Sequence, residues 1–153
     1  MPINKVTIFI FPCEDIQNVS IGYARSQWAI PMSNSETETK KRFTRSKQFF
    51  HPGSYGIFYV VKDKILTTPF ISLSYPDENH IMKEVWKGEW HFPFEIRPLG
   101  KPDICMTKDE ILQLNLVTKN GEDPKLSRLT GVAYFTPKYI SQQDFNIIIN
   151  KLI

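Results

Sequence analysis

The sequence predicts an α/β fold, a small and partly closed β-barrel flanked by helices. Two observations carry this. Short runs rich in β-branched and aromatic residues recur between Val6 and Leu99, separated by turn-forming residues, as strands do. Two polar-to-apolar transitions in the last third, at Thr107 and Ser141, have the residue types of helix starts.

Val6-Thr7-Ile8-Phe9-Ile10-Phe11 reads as a buried first strand ended by Pro12. Residues 13–35 are mixed and polar, with Trp28-Ala29-Ile30-Pro31 among them, and no element is assigned there. Lys40 to Phe50 combines helix formers with a basic face, and Pro52-Gly53 marks a turn. Tyr55 to Val61 and Ile65 to Leu73 are strands joined by Lys62-Asp63-Lys64, a hairpin loop. Residues 74–91 form a long polar loop, a kind of segment that usually carries function in a compact domain. Phe92 to Leu99 is a further strand, entered through Pro93. Thr107-Lys108-Asp109-Glu110 is a capping-box pattern ahead of Ile111-Leu112. Ser141-Gln142-Gln143-Asp144 starts a second helix, in which Phe145, Ile148, Ile149 and Leu152 recur at i, i+3, i+4 and i+7 as one apolar face. Residues 1–153 are read as a single domain, and the helix that stops at Ile153 without a polar tail suggests a domain cut from a longer protein.

Hydrophobic residues make up 41% and charged residues 23% of the chain, a balance that points to a globular domain and away from disorder. The net charge of +3 permits a polyanionic partner without requiring one. Cys13 and Cys105 share no metal-like spacing, and so few cysteines fit a reducing compartment. The apolar run after the N-terminus is too short for a signal peptide, and no stretch approaches the roughly 18 apolar residues of a membrane helix. A cytoplasmic protein without membrane contact is expected.

Catalytic constellations are missing. His51, His80 and His91 stand alone, without the i, i+4 partners or cysteines of a zinc site. There is no Gly-x-Ser-x-Gly and no phosphate-cradling glycine loop. Asp77, Glu95 and Arg97 loosely resemble a metal-binding nuclease core, but the lysine that usually completes one is absent. No enzyme, metal or cofactor is expected.

Binding chemistry is present. The three tryptophans, Trp28, Trp86 and Trp90, sit in polar, loop-like surroundings. Large flat side chains on loops beside a barrel suit a flat uncharged ligand such as a nucleobase; the alternative is that they pack in the core. Lys40-Lys41-Arg42-Phe43-Thr44-Arg45-Ser46-Lys47 places five cations in eight residues. Lys40, Lys41, Arg42, Arg45 and Lys47 could neutralise several phosphates, or form a solvated helix face.

Ser26-Gln27-Trp28-Ala29 resembles the Ser-x-Trp-(Ser/Cys) motif of YTH domains, and Trp86-Lys87-Gly88-Glu89-Trp90-His91-Phe92-Pro93-Phe94-Glu95-Ile96-Arg97-Pro98 is similar both to the YTH segment with its second cage tryptophan and to the aromatic-proline-aromatic run of EVE domains. His51-Pro52-Gly53-Ser54-Tyr55-Gly56-Ile57-Phe58-Tyr59 resembles the EVE turn and strand, and Leu126-Ser127-Arg128-Leu129-Thr130-Gly131 followed by the last helix matches the closing order. The ordered set covers nearly the whole chain. It implies an EVE/YTH-like domain of the PUA-like superfamily, pseudobarrels with peripheral helices that bind nucleic acid and in several cases accept one modified base into an aromatic pocket. The base site would be Trp28 with Trp86 or Trp90, Trp86 being preferred, together with Ser26 and the backbone of Ala29, whose methyl replaces the family's Ser or Cys. Arg128 would join the cations on the nucleic-acid backbone.

A base sandwiched between Trp28 and Trp86 would gain roughly 1–3 kcal/mol of stacking, enough to cover about the few kcal/mol that leaving a duplex costs. The resemblance extends to the N-terminal targeting modules of McrB-type restriction systems. The expected function is therefore flipping of a modified base, N6-methyladenine in DNA, with methylated DNA as partner and a fused or associated AAA+ motor and nuclease. An RNA-binding PUA-like module without modification preference is the alternative.

Overall fold

The computed structural model describes residues 6–114, 116 and 138–153. Its elements are β1 (Ile8–Cys13), α1 (Ile16–Arg25), β2 (Gln27–Pro31), α2 (Glu36–Phe49), β3 (Tyr55–Val60), β4 (Ile65–Thr67), β5 (Phe70–Ser72), β6 (Ile81–Met82), β7 (Trp90–Pro98), β8 (Cys105–Thr107), α3 (Lys108–Leu112), β9 (Lys138–Tyr139) and α4 (Gln142–Leu152). The main sheet path is β2-β7-β5-β3-β1-β9, with β4 joining β3 to β8 and β6 lying on β7. β1 and β3 run parallel, while β7 pairs antiparallel with β2, β5 and β6. This is the expected α/β arrangement of a multi-stranded sheet flanked by helices.

The strands β1 and β3 lie centrally and are buried on both faces. Phe9, Phe11, Phe58 and Val60 enter one core, which also holds the three tryptophans. Ile8, Ile10, Ile57 and Tyr59 enter a second, closed by Phe145, Ile148 and Leu152 of α4. Two buried faces explain why these segments read as continuous apolar runs without alternation. The helix starts are as the sequence indicates: Thr107 and Glu110 form a reciprocal capping box, and the Ser141 hydroxyl accepts from Asp144 N–H at 3.1 Å.

Four expectations need correction. Residues 13–35, left without an element, contain α1 and β2. The Asp15 carboxylate caps α1 by accepting from Gln17 N–H at 3.0 Å, and Ser26, at φ 54°, ends it in the left-handed region. The inward face of α1 is Val19, Gly22 and Tyr23, and a glycine at its centre hides the apolar period. Secondly, β1 continues through Pro12 to Cys13, since its parallel pairing with β3 runs on to Cys13, whose carbonyl accepts from Val61 N–H, and the nitrogen of Pro12 is turned away from β3. Thirdly, Ile65–Leu73 is two strands, because Pro69 interrupts the ladder between β4 and β5. Fourthly, the loop before Phe92 contains β6, and Trp90 already belongs to β7.

Gly22 sets how close β2 comes to α1. A Cβ there would lie 2.8 Å from the Gln27 carbonyl oxygen and 2.9 Å from Cε3 of Trp28. Gly22→Ala is therefore expected to destabilise the fold by about 1–3 kcal/mol through overpacking, although alanine is better in a helix by about 1 kcal/mol. A thermal melt at or above that of the unaltered protein would show that β2 moves aside freely.

Candidate nucleic-acid interface

A cleft of about 730 Å³ opens where the end of β1 meets the start of α1. Phe11, Pro12 and Cys13 line it from β1, Glu14, Asp15, Gln17 and Asn18 contribute from the turn into α1, Trp28 and Pro31 from β2, Arg42 from α2, and Lys87 to Trp90 from the segment entering β7. Burial pushes the Cys13 thiol well above its usual range, helped by Asp15 and Asp63, so it stays protonated and uncharged.

The three tryptophans come together at this cleft, which no sequence spacing could show. Their setting differs from the polar loops expected. Trp28 is a strand residue, 1% exposed, with its ring centroid 4.4 Å from that of Phe58. Trp86 and Trp90 stack on each other at 4.9 Å and 26°, and both meet Trp28 edge-on at 5.5 and 5.4 Å. The Trp86 indole N–H donates to the Asn18 carbonyl at 3.0 Å, and that of Trp90 to the Lys87 carbonyl at 3.2 Å. In this conformation the Trp28 and Trp86 rings meet edge to face and leave no room for a base between them. Trp28 and Trp90 line the cleft, while Trp86 stands behind Trp90 and ties the loop to α1. Trp28 Nε1 is buried with no acceptor among the described residues.

A bulge places Trp90. Trp28 pairs with Phe94 but Ile30 pairs with His91, two residues of β2 spanning three of β7. Phe92 takes φ 59° inside this bulge, a conformation uncommon for a bulky residue, and its ring packs 4.8 Å from Phe43 of α2.

Ser26 and Ala29 do not line the cleft. The Ser26 backbone caps α1 and accepts from Ile96 N–H, and Ala29 is fully buried. The cations also divide. Arg42 turns inward: Nη1 donates to the Pro31 carbonyl at 2.7 Å, Nε lies 3.5 Å from Glu38, and the guanidinium lines the cleft. Lys40 lies 4.0 Å from Glu36, and Lys47 sits 5.1 Å from the centre of the Phe43 ring. Arg128, with the whole segment Leu126 to Gly131, lies outside the described residues.

Among the cleft residues that the sequence reading missed are Glu14, Asp15, Gln17 and Asn18. Asp15 directly before Ile16 is an N-cap signal, and it would have placed them together at a helix start. The mouth carries both signs: Glu14, Asp15 and Glu89 share the lining with Arg42 and Lys87, Asp15 lies 4.0 Å from Lys62, and Glu89 lies 3.6 Å from Lys83. Cations do not outnumber carboxylates in the lining, so it offers no excess positive charge to a phosphate. Among the described residues, no group of three His, Cys, Asp or Glu could hold a metal ion, and no helix is long and apolar enough to cross a membrane.

This combination of mixed sheet, flanking helices and tryptophan-lined cleft is a YTH-like fold. The YTH domain of the Zygosaccharomyces rouxii MRB1 protein, solved with N6-methyladenosine RNA, superposes with a TM-score of 0.64 at 12% identity, covering 99% of this chain and 87% of that one. The Toxoplasma CPSF4 YTH domain with a 7-mer m6A-modified RNA gives 0.63 at 15%, covering 99% and 93%. The Pho92 YTH domain in complex with m6A gives 0.63 at 12%, covering 98% and 88%. No family model and no curated protein matches the sequence. The expectations of methylated DNA, of base flipping for a restriction system and of an AAA+ or nuclease partner are corrected by these likenesses, whose named nucleic-acid complexes contain RNA.

Proposed function

We propose that this chain is a non-catalytic module that binds single-stranded RNA and takes one base, N6-methyladenosine, into the cleft beside Trp28 and Trp90. The observation that carries the reading is the convergence of Trp28 from β2 and Trp90 from β7 on one cleft, with Trp86 stacked on Trp90. Solved YTH domains of the same fold hold N6-methyladenosine RNA, which supports both the RNA and the methyl group. A base already unpaired need not leave a duplex, so stacking of roughly 1–3 kcal/mol becomes net affinity. Burying a methyl adds about 0.8 kcal/mol by area, and a tight dry slot raises discrimination toward roughly 1–3 kcal/mol.

The stacked Trp86 and Trp90 favour a second reading, RNA binding without modification preference, because they leave no slot between the rings in this conformation. Titration with four matched oligonucleotides, methylated and unmethylated, RNA and DNA, separates the two. RNA is expected to bind more tightly than DNA, and the methylated RNA about tens-fold more tightly than its unmethylated match. Equal affinity for both RNAs would establish the second reading, and absence of RNA binding would end both.

A further inference from the structure

The cations of α2 do not share one surface. Successive helical residues are turned by about 100°, and the inward face is given by Phe43, Ser46 and Phe49, of which the last two are buried. Arg42 lies at the edge of that face and reaches the cleft. Lys40, Lys41 and Arg45 lie on the opposite side, where with Thr37, Thr44 and Gln48 they surround a shallow depression of about 410 Å³. A helix about 10–12 Å across with its side chains therefore separates these three cations from the base cleft.

We propose that this outer face of α2 is a second RNA contact, holding backbone phosphates of the same strand that places one base in the cleft. The inference rests on the RNA reading above and adds where the phosphates go. The cleft lining sets Arg42 and Lys87 beside Glu14, Asp15 and Glu89, so it holds no excess of cations for phosphates, and the outer face of α2 is where such an excess lies. The outer face offers three cations and the hydroxyl and amide groups of Thr37, Thr44 and Gln48. One carboxylate near it, Glu36, lies 4.0 Å from Lys40 with both side chains at least 80% exposed, an ion pair that solvent screens. Among the described residues, no aliphatic or aromatic residue lines the depression. A protein interface lacks its anchoring residues there, whereas a phosphodiester backbone needs only charge and polar donors.

RNA that fills the cleft alone is then short, and RNA that also crosses α2 is longer. The test compares an RNA of about 4 nucleotides with one of about 16, the span of single-strand site sizes, on the unaltered protein and on the triple variant Lys40→Gln, Lys41→Gln, Arg45→Gln. Glutamine forms helix about as well as lysine and arginine, so α2 is retained, and a thermal melt checks this. The plot of log affinity against log salt for the long RNA is expected to flatten by about 2 in the variant. The short RNA is expected to bind both proteins alike and to change their tryptophan fluorescence equally. Equal weakening of both RNAs would place the cations at the cleft and overturn the inference, as would unchanged slopes for the long RNA. A short RNA that leaves the fluorescence unchanged while the long one binds and responds to the variant would retain the α2 contact and refute the base cleft. No binding of either RNA to the unaltered protein would remove the reading and the inference together.

Discussion

Trp28→Ala is expected to lower the unfolding free energy by about 3–5 kcal/mol, the range for deleting a large buried aromatic. For a chain of this size that corresponds to a melting temperature about 6–20 °C lower. The ring is 1% exposed and packs against Phe58, Trp86 and Trp90, with α1 held close on its edge by Gly22. As a loop residue, Trp28 would have been replaceable without loss of fold; in β2 it is part of the core, and loss of binding in the alanine variant alone says nothing about contact with RNA. Trp28→Phe makes the distinction. The indole N–H has no acceptor among the described residues, so phenylalanine forfeits no internal hydrogen bond and should fold at a smaller cost. Reduced RNA affinity in Trp28→Phe with a nearly unchanged melt would assign Trp28 to the ligand. A Trp28→Ala melt matching the unaltered protein would show the packing argument to be wrong.

The second large effect separates Trp86 from Trp90. The sequence reading prefers Trp86 as the base-contacting wall. The structure makes Trp86 the more buried, at 3% against 7%, and binds its N–H to Asn18 of α1. Trp90, at the start of β7, lines the cleft. Trp90→Ala is therefore expected to lose RNA affinity by roughly 1–3 kcal/mol, the value of one stacked base, along with some stability. Trp86→Ala is expected to lose mainly stability, about 3–5 kcal/mol, because it removes a buried ring and the indole N–H bond that ties the loop to Asn18 of α1. Melts and titrations on both variants check the assignment. If Trp86→Ala melts normally yet fails to bind, Trp86 leaves its stack on Trp90 to receive the base, and the cage consists of Trp28 and Trp86 as the spacing had suggested.

Much of the fold was legible because its signals are local. The Thr107 capping box, the Ser141 cap and the 3–4 spacing of Phe145, Ile148 and Leu152 are written within single turns of helix. The continuous apolar runs of β1 and β3 announce strands covered on both faces. Where the reading failed, a local signal was weak or ambiguous. Gly22 interrupts the apolar face of α1 because close contact with Trp28 requires a residue without a side chain. Polar neighbours made Trp28 and Trp90 look like loop residues, although Trp28 lies in β2 just after α1 and Trp90 is the first residue of β7.

The site itself divides in the same way. The sequence alone determined the residue types: three tryptophans, a basic helix, no metal cluster spacing and no catalytic motif. Only the tertiary structure decided how they combine. The bulge at Phe92 aligns Trp90 with Pro31, the turn into α1 contributes Glu14, Asp15, Gln17 and Asn18, and Arg42 swings to the cleft while Lys40, Lys41 and Arg45 face away. The physical reason is range. Caps and periodicity depend on neighbours within about four residues, whereas a binding cleft depends on which faces of distant segments meet, and here those segments lie between residues 11 and 90.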